Sequence, residues 1–269
     1  MPYAAVRDID VYYEIHGSGP PVLSISGSGQ DLRTNPSLGK GLLEQHFTVL
    51  HYDQRGLGRT SRPDVDYTMA DYADDAAGLL DAVGWDRAHV VGMSFGGMVA
   101  QHLAVRHPGR VGRLVIGCTS AGGVGGSSYD LREHEKLEPE ARRRRALEII
   151  DNRCDFRVDP PRLAPGMEPL FAMFARAGEL DAAEPERAMG ARRQLDARAD
   201  HDTSGRLGEI VAPTLVAAGR FDDQAPLPNS EYLAAHIPGA RLYVADGGHL
   251  FMLQDPTAWP VILAFLQSA

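Results

Sequence analysis

A short apolar run that breaks into glycine, serine and glycine constrains this chain more than any other feature of it. Residues 88–91 (Ala-His-Val-Val) read as the end of a buried strand, and residues 98–107 read as a helix. Between them lies Gly92-Met93-Ser94-Phe95-Gly96-Gly97, with the G-x-S-x-G spacing of a nucleophile elbow. A chain that turns this sharply from strand to helix strains the serine backbone and brings neighbouring segments close, so only very small residues fit on either side. The turn lifts the Ser94 hydroxyl clear of the sheet. It also leaves the Phe95 amide at a helix N-terminus, without an intrahelical partner and able to donate to an oxyanion.

The rest of the chain supplies a setting for such a turn. Strands are expected over 3–6 and 11–15 as a hairpin, then over 21–26 and 47–52, with a short helix over 38–46. A helix over 69–83, the elbow strand and helix, and a strand over 111–117 follow. That alternation implies crossover connections and a mostly parallel sheet with helices on both faces. The rhythm stops at Thr119. Residues 119–205 hold no convincing strand; they open with Ala121-Gly122-Gly123-Val124-Gly125-Gly126-Ser127-Ser128 and continue as helical pieces over about 138–152, 168–177 and 185–197. An all-helical insertion at this point reads as a lid (cap). About half of the lysines and arginines lie in it, nearly matched by acids, and Arg142-Arg143-Arg144-Arg145 reads as a solvated helix face. Strands over 212–218 and 240–245 and helices over 229–236 and 257–267 resume the α/β rhythm. The catalytic core is thus expected over 1–118 and 206–269.

A serine hydroxyl is a weak nucleophile at neutral pH and needs a base held against it. Among ten histidines, His102 and His107 fall on the elbow helix, and His46, His134, His201 and His236 fall in or near polar helical stretches. His51 and His89 read as packed in or beside strands. His249 differs, because Asp246-Gly247-Gly248-His249-Leu250 forms a glycine-bearing loop after the last strand, at the sheet edge where ligands bind in such folds. The acid that fixes the base's tautomer is sought in Gly219-Arg220-Phe221-Asp222-Asp223-Gln224; Asp222 is favoured, with Asp223 the alternative. The chain order is then Ser94, Asp222, His249. A second oxyanion donor belongs in the loop after the third strand, where Gly27-Ser28-Gly29 lets the backbone approach closely and the Ser28 amide is the candidate. Gln30 and Arg33 follow and could face the substrate; for Arg33 a surface role is an equal alternative.

With these residues in place the chain resembles the α/β-hydrolase superfamily, in its compact bacterial branch of esterases, enol-lactonases, carbon–carbon bond hydrolases and cofactor-free haloperoxidases. The resemblance rests on Ser26-Gly27-Ser28-Gly29, Asp53-Gln54-Arg55-Gly56-Leu57-Gly58, the elbow, and Gly219-x-x-Asp222 with Gly248-His249. It covers both halves of the core. The Asp53 stretch is expected to be a structural turn, and Ser26-Gly27 departs from the family's usual His-Gly, which implies a changed pocket. The resemblance implies acyl transfer on a small carboxylic ester or lactone without cofactor or metal. The pocket would lie beneath the lid, lined by Met93, Phe95, Phe171, Met173, Phe174 and Met252. The same triad would serve a hydrolase of C–C bonds in β-diketone-like substrates; a ligand-binding or cyclase-like member of the fold is the alternative of another class.

Composition narrows the setting. The chain of 269 residues carries a net charge of −9, which argues against nucleic acid as a partner. Two cysteines, Cys118 and Cys154, are too few for a disulfide framework and suit a reducing cytosol. No stretch approaches the ~20 apolar residues of a membrane span, and the first residues lack the apolar core of a signal peptide. The expectation is a cytoplasmic domain whose partner is a small-molecule substrate; a homo-oligomer is compatible with it.

Overall fold

The computed structural model describes residues 3–34 and 40–268. β1 (Tyr3–Val6) and β2 (Ile9–Gly17) form an antiparallel hairpin. β3 (Pro21–Ile25), β4 (Thr48–Tyr52), β5 (Ala88–Met93), β6 (Val111–Gly117), β7 (Thr214–Gly219) and β8 (Arg241–Ala245) complete one eight-stranded sheet in the order β1-β2-β4-β3-β5-β6-β7-β8. β2 meets β4 antiparallel, and every later pairing is parallel.

The strands are apolar on both faces because both faces are covered. In β3 and β5, Leu23 and Val90 point into one core, and Val22 and Val91 point into the other. The first core is closed by α2 (Met69–Ala82), α3 (Phe95–Arg106) and α7 (Leu227–His236), through Leu79, Leu103 and Leu233. The second is closed by α1 (Lys40–Leu43), α8 (Phe251–Gln254) and α9 (Ala258–Gln267), through Leu43, Phe251, Ile262 and Phe265. α2 starts where the sequence signals it: Thr68 accepts from the Asp71 amide while the Asp71 carboxylate accepts from the Thr68 amide, a capping box.

Between β6 and β7 the chain makes α4 (Pro139–Ile150), α5 (Glu168–Ala183) and α6 (Arg187–Ala199). The two ends of this insertion are clasped together. The Thr203 amide donates to the Ala121 carbonyl at 2.7 Å, and Gly122 and Asp202 form an isolated antiparallel bridge. A Cβ on Gly122 would collide with the His201 carbonyl oxygen, so glycine is required there. Arg142, Arg143 and Arg144 lie on the exposed side of α4, with Arg144 paired to Glu140 one turn away.

Several boundaries differ from the sequence expectation. α3 begins at Phe95, three residues early, because Gly96 and Gly97 are helical despite their low propensity. α5 runs to Ala183 rather than ending near 177, and Gly178 within it sits in open space. Of the helix expected over 38–46 only Lys40–Leu43 forms; residues 38 and 39 lie outside the described residues.

Candidate active site

The site is built where β5 turns into α3. Ser94 sits at φ 55° and ψ −118°, in the left-handed half of backbone space that a side chain rarely adopts. Its amide donates to the Gly117 carbonyl at 2.8 Å, which pins the turn to β6. The flanking glycines are required by close approach. A Cβ on Gly92 would collide with the Gly96 carbonyl oxygen, and one on Gly96 would collide with the Ile25 carbonyl at the end of β3. Local strain is therefore held by packing on both sides of the serine.

Two loops at the carboxyl edge of the sheet bring polar groups to it. His249 Nε2 lies 2.9 Å from Ser94 Oγ, and His249 Nδ1 lies 2.8 Å from Asp222 Oδ2. All three residues are buried. An ionised carboxylate only accepts, so Nδ1 carries the hydrogen and Nε2 presents its lone pair toward the Ser94 hydroxyl. The other Asp222 oxygen accepts from the Ala225 amide at 2.8 Å. Asp223, the alternative acid, faces away and takes a hydrogen bond from Asn152 Nδ2 at 2.8 Å.

Both loops are held by the helical insertion. The last carbonyls of a helix lack intrahelical donors. At the end of α4, the Ile149 carbonyl accepts from the Asp223 amide at 3.0 Å and the Ile150 carbonyl accepts from the His249 amide at 2.6 Å. A helix of the insertion thus fixes the acid loop and the histidine loop to each other.

The loop after β3 lies against the serine: a Cβ on Gly27 would stand 3.6 Å from Ser94 Cβ. Three glutamines shape this loop. Gln30 Oε1 accepts from the Gly27 amide at 3.2 Å, Gln54 Nε2 donates to the Ser26 carbonyl at 2.9 Å, and Gln194 Oε1 on α6 accepts from the Gly29 amide at 2.7 Å. Gln54 belongs to the Asp53 stretch, and its contact orients the loop that carries serine in place of the more usual histidine. The rest of that stretch is structural. The buried Asp53 carboxylate accepts from the Leu32 and Arg59 amides, and burial pushes it up to about 6. Arg55 is paired with Asp75 and Asp8.

A chamber of about 230 Å³ opens above Ser94. Ser28, Gln30, Met93, Phe174 and Met252 line it, as does Met173. Two expected lining residues do not. Phe171, 46% exposed, stands one turn before Phe174 on α5 and is not part of the chamber wall. The Phe95 ring is turned into the core, edge-on to Tyr72 with centroids 5.0 Å apart, which leaves only its backbone at the site. Arg33 is spoken for as well, paired with Asp31 and Glu184 rather than facing the chamber.

Other residues enter that the sequence did not point to. Leu131, Ile149, Leu170 and Leu250 make the walls apolar. His134, expected in or near a polar helical stretch, lines the chamber, and burial together with Arg145 and Arg142 lowers its pKa. Gln224 reaches in beside Ser94 and His249, with its Nε2 2.8 Å from His249 Nε2 and 3.5 Å from Ser94 Oγ. No local pattern marks Gln224, although it stands only two residues after Asp222. Among the described residues no cluster of three or more His, Cys, Asp or Glu could hold a metal ion, and no helix is long and apolar enough to cross a membrane.

Comparisons with known proteins bear on the fold and the family. A family model described as alpha/beta hydrolase fold matches residues 20–256. "Putative carbamate hydrolase RutD" of Azorhizobium caulinodans is 32% identical over 268 residues, covering 98% of this chain and 97% of that protein. A poly(3-hydroxyalkanoate) depolymerase of Ectopseudomonas oleovorans is 32% identical over 255 residues, covering 92% of this chain and 84% of the depolymerase. Among solved structures, the enol-lactonase of Burkholderia xenovorans LB400 superposes with a TM-score of 0.78 at 25% identity, over 99% of this chain and 100% of that one. An eight-stranded, mostly parallel sheet flanked by helices, a strained serine between strand and helix, and a family match across most of the sequence lead to one conclusion: the chain belongs to the α/β-hydrolase family and is a hydrolase.

Proposed function

We propose that the chain is a serine hydrolase that acts by acyl transfer on a small carboxylic ester or lactone. The observation that carries this reading is the continuous chain of contacts from Ser94 Oγ to His249 Nε2 at 2.9 Å and from His249 Nδ1 to Asp222 at 2.8 Å. In the first half-reaction His249 takes the Ser94 proton as Oγ attacks the substrate carbonyl. The amides of Phe95 and Ser28 donate to the oxyanion, and His249 returns the proton to the leaving alcohol. In the second half-reaction water, deprotonated by the same histidine, releases the acid and restores Ser94. Asp222 accepts from Nδ1 and stabilises the imidazolium. No cofactor is needed.

Residues 119–205 act as the lid in this reading. α4 and α5 supply Ile149, Leu170, Met173 and Phe174 to the chamber, so the acyl group is bound by apolar contact and water is kept from the oxyanion. The enol-lactonase and the depolymerase are named for cleaving acyl–oxygen bonds, and the RutD proteins for carbamates, in which the attacked carbon is also an acyl carbon.

The test is steady-state hydrolysis of a panel of short-chain esters, lactones, carbamates and β-diketones by the wild type and Ser94→Ala. Turnover of esters or lactones in the wild type that falls by about 10⁴-fold or more in Ser94→Ala is the expected result. Turnover confined to β-diketones would move the assignment to C–C bond hydrolysis. Ligand binding retained in Ser94→Ala with no turnover in the wild type would make the chain a binding protein.

A further inference from the structure

Two donors converge on the single lone pair of His249 Nε2. Ser94 Oγ lies 2.9 Å from it, and Gln224 Nε2 lies 2.8 Å from it. The Gln224 amide must present its nitrogen there, because Nδ1 holds the ring hydrogen toward Asp222 and Nε2 can only accept. Gln224 is 7% exposed and lines the chamber above Ser94. Its backbone is fixed on both sides: the Gln224 carbonyl accepts from the Tyr129 amide at 2.7 Å, and the following Ala225 amide donates to Asp222 at 2.8 Å. Gln224 therefore arrives with the acid loop, on the side of the base. The amides of Ser28 and Phe95 belong to the loop after β3 and to the start of α3.

The contact between Gln224 and His249 cannot outlast the first proton transfer. Once Nε2 takes the Ser94 hydrogen it becomes a donor, and the Gln224 N–H loses its acceptor. An amide hydrogen left without a partner among apolar walls is unfavourable, so it is available to the next acceptor that enters. That acceptor is the leaving-group oxygen, which must come within hydrogen-bonding distance of Nε2 to receive its proton. It enters the space that the Gln224 amide flanks.

We propose that Gln224 is a catalytic residue for departure of the leaving group; this rests on the acyl-transfer reading above. As the tetrahedral intermediate collapses, the bond from the former carbonyl carbon to the leaving oxygen breaks, and its electron pair stays on that oxygen. His249 Nε2 delivers its proton to the oxygen, and Gln224 Nε2 donates a hydrogen bond to the same atom while the charge develops. The alcohol leaves neutral and His249 is neutral again. The demand for such a donor rises with the basicity of the leaving oxygen. An aryloxide spreads its charge into the ring and departs with little help, whereas an alkoxide cannot. Gln224 thus suits the site to esters or lactones of ordinary aliphatic alcohols.

The test is kcat/KM for the ethyl, trifluoroethyl and p-nitrophenyl esters of butyric acid, measured in the wild type, Gln224→Met and Ser94→Ala. The acyl group is constant and leaving-group basicity falls along the series. The loss in Gln224→Met is expected to be about tenfold or more greater for the ethyl than for the p-nitrophenyl ester, with the trifluoroethyl ester between them. Gln224→Leu removes the same donors and carries the test if Gln224→Met folds poorly. A side chain that only steadied His249 would lower all three rates alike, so equal losses, or no loss, would overturn this inference and leave the acyl-transfer reading standing. An absence of Ser94-dependent turnover with every ester would overturn both.

Discussion

At Ser94 stability and chemistry oppose each other. Its φ of 55° and ψ of −118° are tolerated because Gly92 and Gly96 let β3, β5 and α3 close around it. Strain of this kind costs on the order of 1–3 kcal/mol, and glycine relieves it. Ser94→Gly is therefore expected to raise the unfolding free energy by about 1 kcal/mol while abolishing turnover, as read by urea denaturation beside an ester assay. A variant less stable than the wild type would show that the backbone there is not strained. The same local rules explain which site residues were readable. Ser94, Asp222 and His249 each stand in a glycine-marked turn after a strand, and the structure places Ser94 and Asp222 within hydrogen-bonding distance of opposite nitrogens of His249. Gln224 carries no such mark, because its contact with His249 depends on how a loop folds back. Phe171 and Phe174 are three residues apart on α5, and only the docking of that helix decides which of them faces the chamber.

Among the elements, α4 has the least expected role. An insertion that only covers a site could swing away freely. Here the Ile149 and Ile150 carbonyls bind the amides of the two loops that carry Asp222 and His249. α5, with only Leu170 and Leu180 buried, is held less firmly. Motion that admits substrate should therefore be carried by α5 while α4 stays docked. Native-state hydrogen exchange checks this: the His249 and Asp223 amides should exchange as slowly as those of β5 and β6, and α5 amides much faster. Fast exchange at His249 would mean that α4 leaves with the rest of the insertion. The helical nature of this segment was legible from its composition, whereas its hold on the two loops was not, since it runs through backbone carbonyls that any sequence would provide.

Across the whole molecule, core and insertion meet at a histidine pair, His201 buried and His102 half-buried. His102 on α3 and His201 at the neck are lowered to about 3 and about 4, chiefly by burial, from an ordinary value of 6.5. Unfolded histidines take up protons from about pH 6.5, and the folded pair takes them up only near pH 4 or below, so the unfolded state binds more protons in that window. Their contribution is thus complete above about pH 6.5 and is lost as the pH falls toward 4. Asp53 has the opposite sign: raised to about 6, it favours the fold most at low pH and fades as the pH rises through 6. Denaturation across this range should show wild-type stability falling with acid more steeply than that of His201→Gln, whose amide can still donate to the Ser120 carbonyl. Parallel curves would remove the histidine pair as the cause. The order of strands and helices around this seam followed from alternation along the chain; the pairing of two histidines ninety-nine residues apart did not.

The central claim is an activated serine, and intact-mass spectrometry after exposure to a fluorophosphonate addresses it most directly. One adduct on the wild type, absent from Ser94→Ala and slowed by about 10³-fold or more in His249→Ala, is the expected result. A folded wild type that takes up no adduct, or an adduct that persists in Ser94→Ala, would contradict it.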